Sequence, residues 1–179
     1  EESRRRALLL FVAVATSFFA TRLISAAFVR PRPLTSAPVQ VPIVPSDWDK
    51  LRATFLTDHS FPSDHAALLG AMTVGMFVYG WRPGLLALGL ALFFSVQRIA
   101  LGIHWPTDML AGGLLGMLIT TVLMGARRWL EPLTTWAIVL AQSWRMISYP
   151  LLFFLMVDFS EKFSGVFGTL ARLGIHIGH

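Results

Sequence analysis

Between Ala7 and Gly125 the chain alternates long apolar runs with short polar links, and this limits its folds more than any single motif does. The runs are Ala7–Val29, Ala66–Tyr79, Leu85–Ile103 and Met109–Gly125. A helix needs about 20 apolar residues to cross the ~30 Å hydrocarbon core of a bilayer. The four runs reach or approach that length, the second if its helix starts near Ser63. Brief links force neighbouring spans to be antiparallel. The expected fold is all-α: a polytopic membrane helix bundle with at least four transmembrane helices.

Composition agrees. Hydrophobic residues make up 55% of the 179 and charged residues 14%, and mean hydropathy is +0.63, outside the soluble range. The net charge of +5 does not point to nucleic acid, because the basic residues cap apolar runs and form no aromatic-interleaved stripe. With no cysteine, disulfides and thiolate metal sites are excluded. Ala7–Val29 ends in Arg30-Pro31-Arg32-Pro33 without a small-residue cleavage site, so a retained span is expected rather than a signal peptide.

Charge placement sets an orientation. Arg4, Arg5 and Arg6 precede the first run, Arg82 separates the second and third, and Arg127 and Arg128 follow the fourth. All three groups fall on one face, cytoplasmic by the positive-inside rule. The opposite face carries the loop 30–61, with a short helix expected near 47–56, and every residue suited to phosphate chemistry. The expected localisation is integral membrane, a bacterial inner membrane, with the site on the non-cytoplasmic side.

Those residues form three strings. His104 precedes Pro106, a favoured first helical residue, and Asp108 falls in the first turn, where its carboxylate can reach one imidazole nitrogen and leave the other free to attack. Taken alone, this pair is equally an interfacial histidine beside an ordinary helix-start aspartate. Ser63 is a natural N-cap for the second span, and a helix start is an anion site that His65 would face; plain capping is the bland alternative. Arg98 ends the third run and Arg30 or Arg32 the first. Guanidinium groups hold phosphate bidentately, although arginines also snorkel at span ends.

Together, Arg30-Pro31-Arg32-Pro33, Pro62-Ser63-Asp64-His65 and Arg98-x5-His104-x3-Asp108 resemble the three signatures of the type 2 phosphatidic acid phosphatase superfamily. That family holds the lipid phosphate phosphatases, with the vanadium haloperoxidases as soluble relatives, and the strings look most like its bacterial polyprenyl-pyrophosphatase branch. The resemblance implies a metal-independent lipid phosphate phosphatase without a cofactor, acting on undecaprenyl pyrophosphate, phosphatidic acid or phosphatidylglycerol phosphate. It implies His104 as a nucleophile that becomes a phosphohistidine, Asp108 as its orienter and His65 as the proton donor. Arg98, Arg32, Arg30, Arg22 and Ser63 would hold phosphate. Membrane lipids are the expected partners, and a homo-oligomer stays open.

Three positions depart from the family pattern. Ser25 occupies the lysine slot that matches Arg32, while Arg22 misses the spacing to Arg30 by one and stands in for the lysine. Asp64 replaces a glycine, and Gln97 replaces the serine before Arg98. Family members carry the signatures on the last four of six helices, so the first two are expected to be missing from this chain. Residues 1–132 then form the phosphatase-like core and 133–179 a C-terminal helical extension, a fifth span across Leu133–Val157 or two interfacial helices split near Ser143. Phe163, Val166, Phe167 and Leu170 suit an interfacial helix in the tail. The rival from another class is a non-catalytic membrane protein that binds or transports a lipid phosphate. A metal site on His59, His65, His104 and Asp108 is disfavoured because the arginines would repel a cation.

Overall fold

The computed structural model describes residues 2–36, Ala53 and 59–150. Among these, all regular structure is helical: α1 (Glu2–Ala27), α2 (Pro33–Ser36), α3 (Asp64–Tyr79), α4 (Trp81–Ala100), α5 (Pro106–Gly125) and α6 (Arg127–Ser143). The helix expected near 47–56 lies outside the described residues apart from Ala53, which is helical. The tail from Asp158 onwards also lies outside them.

Among the described residues three helices, α1, α4 and α5, are long and apolar enough to cross a membrane. The second apolar run forms α3, whose 16 residues rise about 24 Å, short of a full bilayer core. Ser63 caps its start, and Gly80, at φ 155°, ends it. Gly80 alone separates α3 from α4, so the expected link of five residues shrinks to one and Arg82 and Pro83 fall in the first turn of α4.

Despite its length, α3 is the central helix, packed against α5, α4 and α1. Its buried face is Ala66, Ala67, Gly70, Ala71, Thr73 and Gly75, small residues that let helix backbones approach closely. A Cβ on Gly116 would lie 2.0 Å from the Ala67 carbonyl oxygen, one on Gly112 2.2 Å from that of Ser63, and one on Gly70 2.3 Å from that of Gly113. These contacts fix α5 against α3 and thereby place the starts of both helices side by side.

The outer surface is apolar. On α4 only Gly84 and Ala91 are buried, while Leu85, Leu86, Leu90, Leu92, Phe93 and Val96 are exposed. An exposed apolar surface of this extent belongs against lipid. After α5 the chain enters the amphipathic α6, which continues through Pro132 to Ser143. The helix is interrupted at Trp144 and resumes over 145–150.

Candidate active site

Four segments meet at one end of the bundle: the end of α1 with the turn after it, residues 59–65, the end of α4, and residues 102–108. Backbone bonds join them. Leu34 N–H donates to the Gly102 carbonyl (2.8 Å), Ser60 N–H to that of Arg30 (2.9 Å) and Ser63 N–H to that of Asp108 (3.1 Å). The Trp105 indole N–H donates to the Pro31 carbonyl at 3.0 Å. Gly102 turns the chain back after α4 with φ 66°, the left-handed region that glycine enters without a Cβ penalty. Amides of Ile103 and His104 then fold onto the Arg98 carbonyl.

His104 is 2% exposed, and its surroundings fix its chemistry. Nδ1 lies 3.0 Å from the Ser60 carbonyl oxygen. A carbonyl only accepts, so Nδ1 carries the proton and donates it. Nε2 lies 3.1 Å from Nη1 of Arg32. A guanidinium only donates, so Nε2 presents its lone pair. Burial pushes the imidazole pKa down to about 3, helped by the charge of Arg32 and opposed by the Ser60 hydrogen bond. The ring is therefore neutral at physiological pH, as a nitrogen nucleophile must be.

Asp108, fully buried, spends its carboxylate elsewhere. Oδ1 accepts from Arg30 Nη1 at 2.6 Å and Oδ2 from the Trp105 backbone N–H at 2.9 Å. Its distance to Nδ1 of His104 is 4.0 Å, so the contact of hydrogen-bond length at that nitrogen is the Ser60 carbonyl. Arg30 also donates to Thr107 Oγ1 at 2.8 Å and lies over the Trp105 ring. It braces the α5 start instead of facing the cavity.

Arg32 is the arginine turned inward. It is 5% exposed and donates to the carbonyls of Ile103 (2.8 Å) and His59 (3.3 Å) in addition to His104. Arg22, Ser25, Arg32, Asp64 and His104 share one small cavity of about 10 Å³, room for about one water. Arg22 lies over the Phe18 ring on α1. Arg98 adds its charge to the field at His104. Ser63 is buried as the N-cap, its Oγ accepting from the Ala66 N–H at 3.3 Å.

His65 is half-buried, and its Nδ1 lies 2.6 Å from Oδ1 of Asp64. Ligand atoms of Asp64, His65 and His104 all lie within 4.8 Å of one another, which brings the two histidines to one point. The same three groups could in principle face a cation. Three arginines around them, one already on the His104 lone pair, favour an anion there instead. His59 and Asp108 are not part of that convergence.

Sequence reasoning passed over two partners. Ser60 acts through its carbonyl, which no residue type marks. Asp64 is read in the sequence only as a departure from the family glycine, whereas in the structure its carboxylate holds the His65 ring.

Fold and site together define an integral membrane helix bundle with arginines gathered around two histidines at one end. The model of the PAP2 superfamily matches residues 6–132, and the chain belongs to that superfamily. It is similar to a bacitracin transport permease protein of Bacillus licheniformis, 43% identical over 61 residues (34% of this chain, 30% of the relative). It is also similar to an undecaprenyl-diphosphatase of Sulfolobus acidocaldarius, 39% over 66 residues (36% and 32%). A third relative is a lipid A 1-diphosphate synthase of Escherichia coli, 38% over 61 residues (34% and 26%). The matched segments thus span about a third or less of these relatives. No solved structure matches the chain.

Proposed function

We propose that the protein is a lipid phosphatase that removes phosphate from a lipid phosphate or diphosphate through a phosphohistidine on His104. The observation that carries this reading is the state of His104: neutral, its proton held on the Ser60 carbonyl, its Nε2 lone pair aimed at Arg32 in a cluster of cations. The names of two relatives carry a lipid diphosphate, which makes undecaprenyl pyrophosphate the leading substrate, with phosphatidic acid and phosphatidylglycerol phosphate behind it. We place the site on the non-cytoplasmic side of a bacterial inner membrane, by the arginine asymmetry.

The cavity is too small for a phosphate, so substrate entry displaces Arg32 from Nε2. The guanidinium then passes to the phosphate oxygens, where Arg98 and Arg22 add charge as it spreads over the equatorial oxygens. Nε2 attacks the terminal phosphorus in line, and the bond from that phosphorus to the leaving-group oxygen breaks, the bridging oxygen of a diphosphate or the lipid oxygen of a monophosphate. His65 gives its proton to that oxygen. The imidazole gains positive charge as the N–P bond forms, met by the Ser60 carbonyl and by the Asp108 carboxylate 4.0 Å away. Water, deprotonated by His65, then cleaves the N–P bond and releases phosphate.

One relative is named a transport permease, and the second reading is a non-catalytic protein that binds or transports a lipid phosphate. A single assay separates them: phosphate release in detergent with EDTA from undecaprenyl pyrophosphate and phosphatidic acid, by wild type and His104→Ala. The phosphatase reading expects release by wild type and a loss on the order of 10⁴-fold in the variant. Equal release by a folded His104→Ala protein would end it.

A further inference from the structure

We propose that the cavity at the opposite end of the bundle is a second phosphate site, one that takes the phosphate of an anionic phospholipid headgroup. It has a volume of about 290 Å³ and lies between the starts of α1 and α6, lined by Arg5, Arg6, Arg127 and Arg128 with Glu2 and Glu131. Four arginines against two glutamates leave the cavity positive. Both glutamates are held by α1: Glu131 accepts from Arg5, and Glu2 from Arg6. The first of these pairs ties α6 to α1, so the walls of the cavity are fixed.

Two charges are left over. Arg127 and Arg128 stand exposed at the start of α6, while the two glutamates pair with Arg5 and Arg6. A tetrahedral oxyanion suits such a place, since guanidinium groups bind it through several donors at once. The start of α6 has no side-chain cap at Ala126, and the positive end of its dipole adds to the field there. The volume is near the lower end of ligand pockets, enough for a headgroup and not for a whole lipid.

The outer face of α6 decides between lipid and free ion. Trp129, next to Arg128, is 88% exposed, and Leu133 and Trp136 continue the same stripe. Indole rings settle at headgroup level, so acyl chains have an apolar surface directly beside the arginines. From Arg6 to Ser25 along α1 is about 28 Å, so this site is separate from the histidines, and its existence does not rest on the phosphatase reading.

The test uses the full chain, delipidated in neutral detergent and titrated with phosphatidylglycerol, phosphatidylcholine or inorganic phosphate. Bound lipid is read by native mass spectrometry and protection by the melting temperature. Phosphatidylglycerol should be retained in preference to phosphatidylcholine. The double variant R127Q/R128Q, at exposed positions, should bind it about 30-fold more weakly, while Arg82→Gln, at the same end but outside the cavity, should bind as wild type does. Protection by inorganic phosphate alone, lost in R127Q/R128Q, would support the phosphate site and assign it to the free ion. Equal retention of the two lipids, wild-type affinity in the double variant, or an equal loss in Arg82→Gln would overturn the proposal.

Discussion

At the scale of single residues, the site works by assigning one job to each nitrogen. Asp64 and His65 show this most directly, because the ring of the proposed proton donor is held by a carboxylate 2.6 Å away. His65→Ala should reduce turnover about 10²–10⁴-fold, the usual contribution of general acid catalysis. If Asp64 acts through His65, Asp64→Ala costs no more than that, and the double variant is no slower than His65→Ala alone. Additive losses in steady-state kinetics would separate the two residues. His104 makes a different prediction, about stability. Its folded pKa of about 3 lies below the ordinary 6.5. Between those values the unfolded chain binds a proton that the folded protein refuses, so stability is full above about pH 6.5 and falls as pH drops towards 3. Melting temperatures measured from pH 7 to 4 should fall less steeply for His104→Asn than for wild type.

Helices position these residues, and their packing is where substitution should be felt most. A methyl on Gly116 would meet the Ala67 carbonyl at 2.0 Å, whereas one on Gly89 meets nothing within 4 Å. Gly116→Ala should therefore lose about 1–3 kcal/mol of stability, and Gly89→Ala should not be destabilised; thermal melts in detergent check both. The apolar runs and small-residue stripes behind this packing are readable in the chain, since hydrophobic length and Gly spacing report directly on helix and interface. Boundaries are less so. α4 starts at Trp81 because Gly80 alone can make the turn, while Pro83, which looks like a breaker, is tolerated within a first helical turn. Site partners divide in the same way. His104, Asp108 and the arginines announce themselves by type and spacing. The Ser60 carbonyl does not, because every residue has one and only the fold selects it. Nor could spacing tell that Arg30 turns to Asp108 while Arg32 turns to His104: the two sit two residues apart on an irregular segment, where no periodicity assigns a direction.

For the whole molecule, the account sets two charged ends in opposition, histidines with arginines at one and the α1–α6 arginine cavity at the other. The absence of native cysteine makes the orientation simple to test. Ala53→Cys, in the segment between α2 and α3, should react in intact cells with a membrane-impermeant maleimide. Arg82→Cys, in the first turn of α4, should react only after permeabilisation. The reverse pattern would put the histidines on the cytoplasmic side.

The central claim is that Nε2 of His104 forms a bond to phosphorus, and rapid acid-free quenching during turnover of undecaprenyl pyrophosphate tests it. The predicted result is a phosphoryl group, labile to acid and stable to alkali, on the peptide that contains His104 and absent from His104→Ala. Steady turnover with no phosphorylated His104 at any quench time, or a label carried by another residue, would contradict it.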